Sequence, residues 1–233
     1  MMRPAPYPNA RPAPFDALAQ LQAVHVEARS EWIAAMQPDG LRRFCGVQIC
    51  DMGWTETLAY VELVSNLRQN ARTLSFVDSR AVLRLSLDAG CRAVLGRRIL
   101  LPASRSLDVA ARLGGGDPFK TRFDATRFVD ALLTFVPRCH VALVGARLGR
   151  LEAMRAHLSG HAPWHMLSVV RAADLGSGIA AHGAVAGYVG SVPDVVIVDS
   201  DGYHEEVRFE QAVGLRHNGL IIMAGTAFDG RGR

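Results

Sequence analysis

Six short apolar runs dominate the chain after its first forty residues, and each is separated from the next by a stretch of helical character. "TLSFV" (73–77), "RRILLPA" (97–103), "HVALVG" (140–145), "HMLSVV" (165–170), "DVVIVDS" (194–200) and "GLIIMAG" (219–225) are continuous rather than alternating. Strands that are apolar on both sides must be covered on both faces, and helices between them serve as crossovers. The pattern therefore predicts an α/β, Rossmann-like domain with a mainly parallel sheet and helices on both faces. A seventh run, "FCGVQIC" (44–50), reads as a further strand that opens the domain.

Between these runs the helical stretches are readable from spacing and caps. Thr55 to Arg68 carries Leu58, Val61 and Val64 on one side, and Ser79 to Ala89 reads as one helix. Another begins at Ser104, and Asp124 caps the helix that contains Phe128, Val129, Leu132 and Leu133. Leu148, Leu151, Met154 and Leu158 form the core stripe of a helix after "HVALVG". A Gly/Ala-rich helix is expected near Ile179 to Val189, and another from about Tyr203. No internal repeat is present.

Residues 1–40 stand apart. "MMRPAPYPNARPAPF" holds five prolines, which suit an extended tail and exclude a helix or central strand. Asp16 to Met36 could follow as an amphipathic helix with Leu18, Leu21, Val24 and Ala28 on one face. Residues 41–233 are then a single α/β domain. No apolar run reaches the roughly twenty residues of a membrane span, and the N-terminus lacks the apolar core of a secretion signal. The cytoplasm is the expected compartment. A net charge of +4, carried mainly by dispersed arginines, favours anionic small molecules or weak peripheral contact with acidic lipid over nucleic acid. Cys45, Cys50, Cys91 and Cys139 lack metal-ligand spacing and are expected as reduced thiols.

Ligands of parallel sheets bind beyond the carboxyl ends of the strands, so the residues there are the candidates. Gly145 to Gly149 joins a strand to a helix N-terminus, where free N–H groups and glycines can admit an anion. Arg147 and Arg150 could add charge-assisted bonds to a diphosphate. The same loop also fits a tight turn with solvated arginines, since it is neither G-x-G-x-x-G nor a Walker sequence. Asp199 and Asp201 form a D-x-D that either holds a divalent cation or makes an ordinary turn. His204 and Glu206 stand at the right edge for proton transfer, and Asp229 follows the last strand.

In order, "CGVQICDMGWTETLAYV", "ILLPASRSLDVAAR", "RFDATRFVDALL", "HVALVGARLGRLEAMRAHLSGHAP", "DVVIVDSDGYHEEVRFE" and "GLIIMAGTAFDG" resemble the successive blocks of the WecG/TagA/CpsF glycosyltransferases, glycosyltransferase family 26. The resemblance runs from about Phe44 to Asp229. It implies a Rossmann-like enzyme that moves a sugar, with inversion, from a UDP-sugar to a lipid-linked or polysaccharide-precursor acceptor at the inner membrane face. No metal or other cofactor is implied. Gly46, Val47, Pro102, Pro163 and Ala227 match its framework. Arg122, Gly145, Gly149, Gly225 and Asp229 are implied around the nucleotide sugar, and Arg147 joins them from its place in the Gly145–Gly149 loop.

The polar letters depart from the family pattern. Ser75-Phe76-Val77 stands for its Thr-x-Asn, and Ala125-Thr126-Arg127 for its Gly-x-Asp. Ala103 replaces the aspartate of Leu-Pro-Asp-Gly that acts as the base. Tyr203-His204-Glu205 precedes Glu206, where the family has Pro-Lys-Gln. The chain also stops at Arg233, where the family usually continues into an arginine-bearing segment linked to membrane attachment. The expectation is a divergent glycosyltransferase in which His204, Glu206 or Asp108 supplies the base. The alternative is an inactive relative that binds a nucleotide sugar or a partner enzyme.

Overall fold

A computed structural model of the chain describes residues 40–66, 72–172, 192–213 and 219–225. All of them fall in the second of two compact units, Asp39–Arg233. The first unit and the helix expected at 179–189 lie outside the described residues. The elements of the described residues are β1 (Leu41–Phe44), β2 (Val47–Cys50), α1 (Trp54–Asn66), β3 (Arg72–Val77), α2 (Ser79–Leu87), α3 (Ala89–Leu95), β4 (Ile99–Pro102) and α4 (Arg105–Leu113). There follow α5 (Ala125–Phe135), β5 (His140–Gly145), α6 (Leu148–His161), β6 (Met166–Arg171), β7 (Val195–Asp199), α7 (Tyr203–Val213) and β8 (Leu220–Met223).

Six strands form one sheet in the order β4-β3-β8-β7-β5-β6, and every pairing is parallel. The fold is α/β and Rossmann-like. Alternate residues of each strand enter opposite layers, as the pleat requires. Val141, Leu143, Val195, Ile197, Leu220 and Ile222 pack with the buried faces of α1, α5 and α6. Ala142, Val144, Val196, Val198, Ile221 and Met223 face the other way, against Phe209 of α7. Leu85 of α2, Cys91 and Leu95 of α3, and Leu107 and Ala111 of α4 cover the β3–β4 end with Val77 and Leu100.

Two local readings change. "FCGVQIC" is not a strand of the main sheet: Cys45 and Gly46 form a tight turn at φ 46° and 83°, and β1 and β2 pair antiparallel as a separate hairpin. Positive φ at both central residues is what a two-residue hairpin turn needs. The helix expected over Ser79–Ala89 is α2, which ends at Leu87, and a second, unexpected helix, α3, follows at once. Asp88 ends α2 in an extended conformation, and its carboxylate caps α3 by accepting from the Gly90 and Cys91 N–H groups. None of the four thiols forms a disulfide.

No helix among the described residues is long and apolar enough to cross a membrane.

Candidate functional site

The strand order creates a switch at the carboxyl edge. β5 leads through α6 to one layer, whereas β7 leads through α7 to the other. Two neighbouring regions of this edge carry the sequence-predicted residues, and they differ in what fills them.

At the β5–β7 switch, charges are paired with one another. Arg147 Nη2 donates to Asp201 Oδ2 at 2.8 Å, and Arg150 Nη1 donates to Asp201 Oδ1 at 2.8 Å. Arg150 also pairs with Asp199. These guanidinium groups, Arg150 first, hold the Asp201 carboxyl below the usual carboxylate range. Both carboxylates of the D-x-D therefore face arginines. Among the described residues, no group of three or more His, Cys, Asp or Glu side chains is placed to hold a metal ion.

The two glycines of this loop have different roles. A Cβ on Gly145 would lie 2.8 Å from the Asp199 carbonyl oxygen and 3.0 Å from Asp199 Cβ, so glycine is needed where β5 meets the end of β7. A Cβ on Gly149 would meet nothing within 4 Å. Arg147 takes the N-cap position of α6 without a side-chain cap bond.

Beside the switch, at the ends of β3, β7 and β8, lies a cleft of about 290 Å³. That volume is at the lower end of the range for small-molecule sites. Its floor is apolar, formed by Phe76, Val77, Ala103, Met223 and Ala224. Arg80, Arg84, Tyr203, Glu206 and Asp201 bring polar groups to its walls. Phe76 belongs to an aromatic group in which it meets Phe128 edge-on at 5.9 Å, while Trp54 stacks on Phe123 at 5.3 Å. The Arg84 guanidinium lies 5.4 Å above the Tyr203 ring. Burial, with Cys91 beside it, pushes the Tyr203 hydroxyl up to about 12, so it stays protonated and can donate.

Glu206 reaches the cleft through an ion pair. The Arg98 side chain is fully buried; its Nη1 donates to Glu206 Oε2 at 2.9 Å and to Ser75 Oγ at 3.0 Å. Its Nε and Nη2 donate to Glu210 Oε2 at 3.0 and 2.6 Å. Glu206 and Glu210 are one helical turn apart, so a single guanidinium between them ties α7 to β3 and the start of β4. The other Glu206 oxygen accepts from Ser200 Oγ at 3.3 Å. Asp78 is occupied as the N-cap of α2, accepting from Ala81 N–H at 2.7 Å.

The remaining candidates are placed as follows. His204 is exposed, with its ring against Tyr203 at 5.8 Å, and is not among the residues that line the cleft. Asp108 accepts from the Phe119 N–H at 3.1 Å and pairs with Arg122 at 3.4 Å, fastening the loop after α4 rather than lining the cleft. Gly225, at φ 57°, closes the cleft at the end of β8. Asp229 lies outside the described residues. Sequence reasoning missed Arg98, Arg84 and Arg80. Arg80 and Arg84 stand one turn apart at the start of the helix after "TLSFV", a signal that could have been read; Arg98 carries none, because its carboxylate partners are more than a hundred residues away.

The fold is that of a parallel α/β protein with a cleft at the carboxyl edge of its sheet. Neither a protein-family model nor a curated protein matches the chain.

Proposed function

We propose that this chain is a divergent glycosyltransferase that takes a UDP-sugar into the β3–β7–β8 cleft and serves a lipid-linked or polysaccharide-precursor acceptor. The supporting observation is a convergence. Positions 75, 77, 103 and 206, which the family resemblance aligns with polar family residues, come from three separate segments, and all line the same cleft, whereas Arg127, at the position of the family's Gly-x-Asp aspartate, does not. Arg80 and Arg84 there bring positive charge suited to a diphosphate.

Transfer with inversion needs a base that takes the acceptor hydroxyl proton while its oxygen attacks the anomeric carbon and UDP leaves. Ala103 offers only a methyl group. Glu206 is the carboxylate assigned that role here, because Arg98 engages one of its oxygens and leaves the other to a long hydroxyl contact.

A second reading, a binder without transfer, is favoured by the ties on every carboxylate that lines the cleft. Asp78 is spent on a cap, Asp201 on two arginines, and Glu206 on Arg98. General-base catalysis contributes about a hundredfold to ten-thousandfold in rate, so its loss would leave transfer feeble.

Both readings require UDP to raise the melting temperature by binding the folded state. The deciding measurement is transfer from several UDP-sugars by wild type, Glu206→Gln, His204→Ala and Ala103→Asp. Wild-type transfer that falls at least a hundredfold in Glu206→Gln, with melting retained, supports the enzyme. UDP binding without transfer, or with transfer only in Ala103→Asp, supports the binder. No thermal response to UDP or any UDP-sugar rejects both.

A further inference from the structure

Helices α2 and α4 carry an apolar surface that no described element covers. Both start at the carboxyl edge, from the neighbouring strands β3 and β4, and both bury one side in the same layer through Leu85, Leu107 and Ala111. They pack side by side, and Ser79 Oγ lies 2.9 Å from Ser104 Oγ at their first turns. On the sides away from the core stand Leu83 and Leu87 of α2, exposed by 62% and 77%. Val109 and Leu113 of α4 are exposed by 55% and 85%. Counted from the two serines, Leu83 stands about level with Val109, and Leu87 with Leu113. Single exposed leucines are ordinary, but two adjacent i, i+4 pairs make a strip, and such a strip marks a contact surface.

The charges around the strip say what it contacts. Arg105 and Arg112 are exposed on α4, outside the cleft. The acidic residues on α4 and at the caps of α2 and α3 are engaged: Asp78 and Asp88 cap α2 and α3, and Asp108 holds Phe119 and Arg122. A second copy would set arginine rim against arginine rim. Two helices lying in one layer present a flat face, and a flat apolar strip with a basic rim fits the interface of an anionic bilayer.

We propose that the α2–α4 face docks peripherally on anionic lipid, with the four aliphatic side chains entering the acyl boundary and the arginines meeting lipid phosphates. The proposal stands independently of what the cleft binds.

Flotation of the full chain with vesicles tests it. Wild type should float with phosphatidylglycerol/phosphatidylcholine vesicles and not with pure phosphatidylcholine. Arg105→Gln/Arg112→Gln should weaken that binding about tenfold or more, and Leu87→Gln/Leu113→Gln at least fivefold, both with melting temperatures unchanged because the sites are exposed. Absence of wild-type binding overturns the proposal and leaves the face to a protein partner. Equal binding to pure phosphatidylcholine overturns the role of charge. Variants that float like wild type would move the contact elsewhere, residues 1–38 included. Dimerisation without lipid that the leucine variant abolishes would make the face a self-interface instead.

Discussion

The carboxyl edge of the sheet has two ends that handle charge in opposite ways. At the β5–β7 switch, where a glycine-bearing loop meets a helix N-terminus, Arg147 pairs with Asp201 at the surface, while Arg150 pairs with Asp201 and with the buried Asp199. At the β3–β8 end lies a cleft lined by both apolar and polar groups, and one buried guanidinium, Arg98, ties α7 to the sheet beside it through Glu206 and Glu210. Exposed ion pairs contribute little to stability, whereas a desolvated arginine shared by two carboxylates cannot lose a partner cheaply. The region that looked like a ligand cradle in sequence is thus tied internally, and the region poorer in recognisable letters holds the space.

The largest expected effect tests that contrast in energy. Arg98→Met should destabilise the protein by about 3 kcal/mol, since Glu206 and Glu210 would be left adjacent and partly buried. Arg147→Gln at the other end removes an exposed pair and should cost under about 1 kcal/mol. Urea unfolding midpoints of the two variants check the ratio, and equal losses would break the comparison. Next comes the pair of glycines. Gly145→Val forces a side chain into the Asp199 backbone and should cost about 2 to 3 kcal/mol. Gly149→Ala, in open space within a helix, should instead stabilise by about 0.5 to 1 kcal/mol. Thermal melts of both decide it; destabilisation by Gly149→Ala would mean that something fills the space before α6.

The smallest effect concerns the opposite end of β5. Burial lowers the pKa of His140, partly opposed by the Asp194 carboxylate. Its Nε2 lies 2.8 Å from Ser168 Oγ. The unfolded imidazole takes up a proton as pH falls through about 6.5, while the folded one resists it. The stability that His140 contributes is therefore present above that pH and lost as pH falls toward the lowered folded value. Urea midpoints between pH 7.5 and 5 should decline in wild type and decline less in His140→Gln. A wild-type midpoint that rises on acidification would contradict a neutral buried imidazole.

Much of the fold was legible because it rests on local chemistry. Continuous apolar runs gave the buried strands, and Asp124 marked the start of α5, where its carboxylate accepts from the Arg127 N–H. The β1–β2 hairpin escaped because its central residue pair, Cys45-Gly46, is not a common turn dipeptide. Helix α3 escaped because its seven residues bury only Cys91 and Leu95, and its cap, Asp88, looks like a surface residue until its bonds are seen. Of the site, Glu206 and Tyr203 could be picked from their position after a strand. That His204 turns away from the cleft while Glu206 turns toward it depends on which face of α7 meets the sheet.

Sequence alone determined the six strands of the main sheet among the described residues, though it counted Phe44–Cys50 with them, and their apolar character on both faces. These follow from the periodicity and apolarity of short segments. Only the tertiary structure decided the order β4-β3-β8-β7-β5-β6, because parallel strands are joined by crossovers whose destinations leave no local mark. That order brings Ser75, Arg98, Glu206 and Glu210 together across more than a hundred residues. It also sets Asp199 and Asp201 against Arg147 and Arg150. Which charges are available to a ligand and which are used up within the protein is a property of those long-range neighbours.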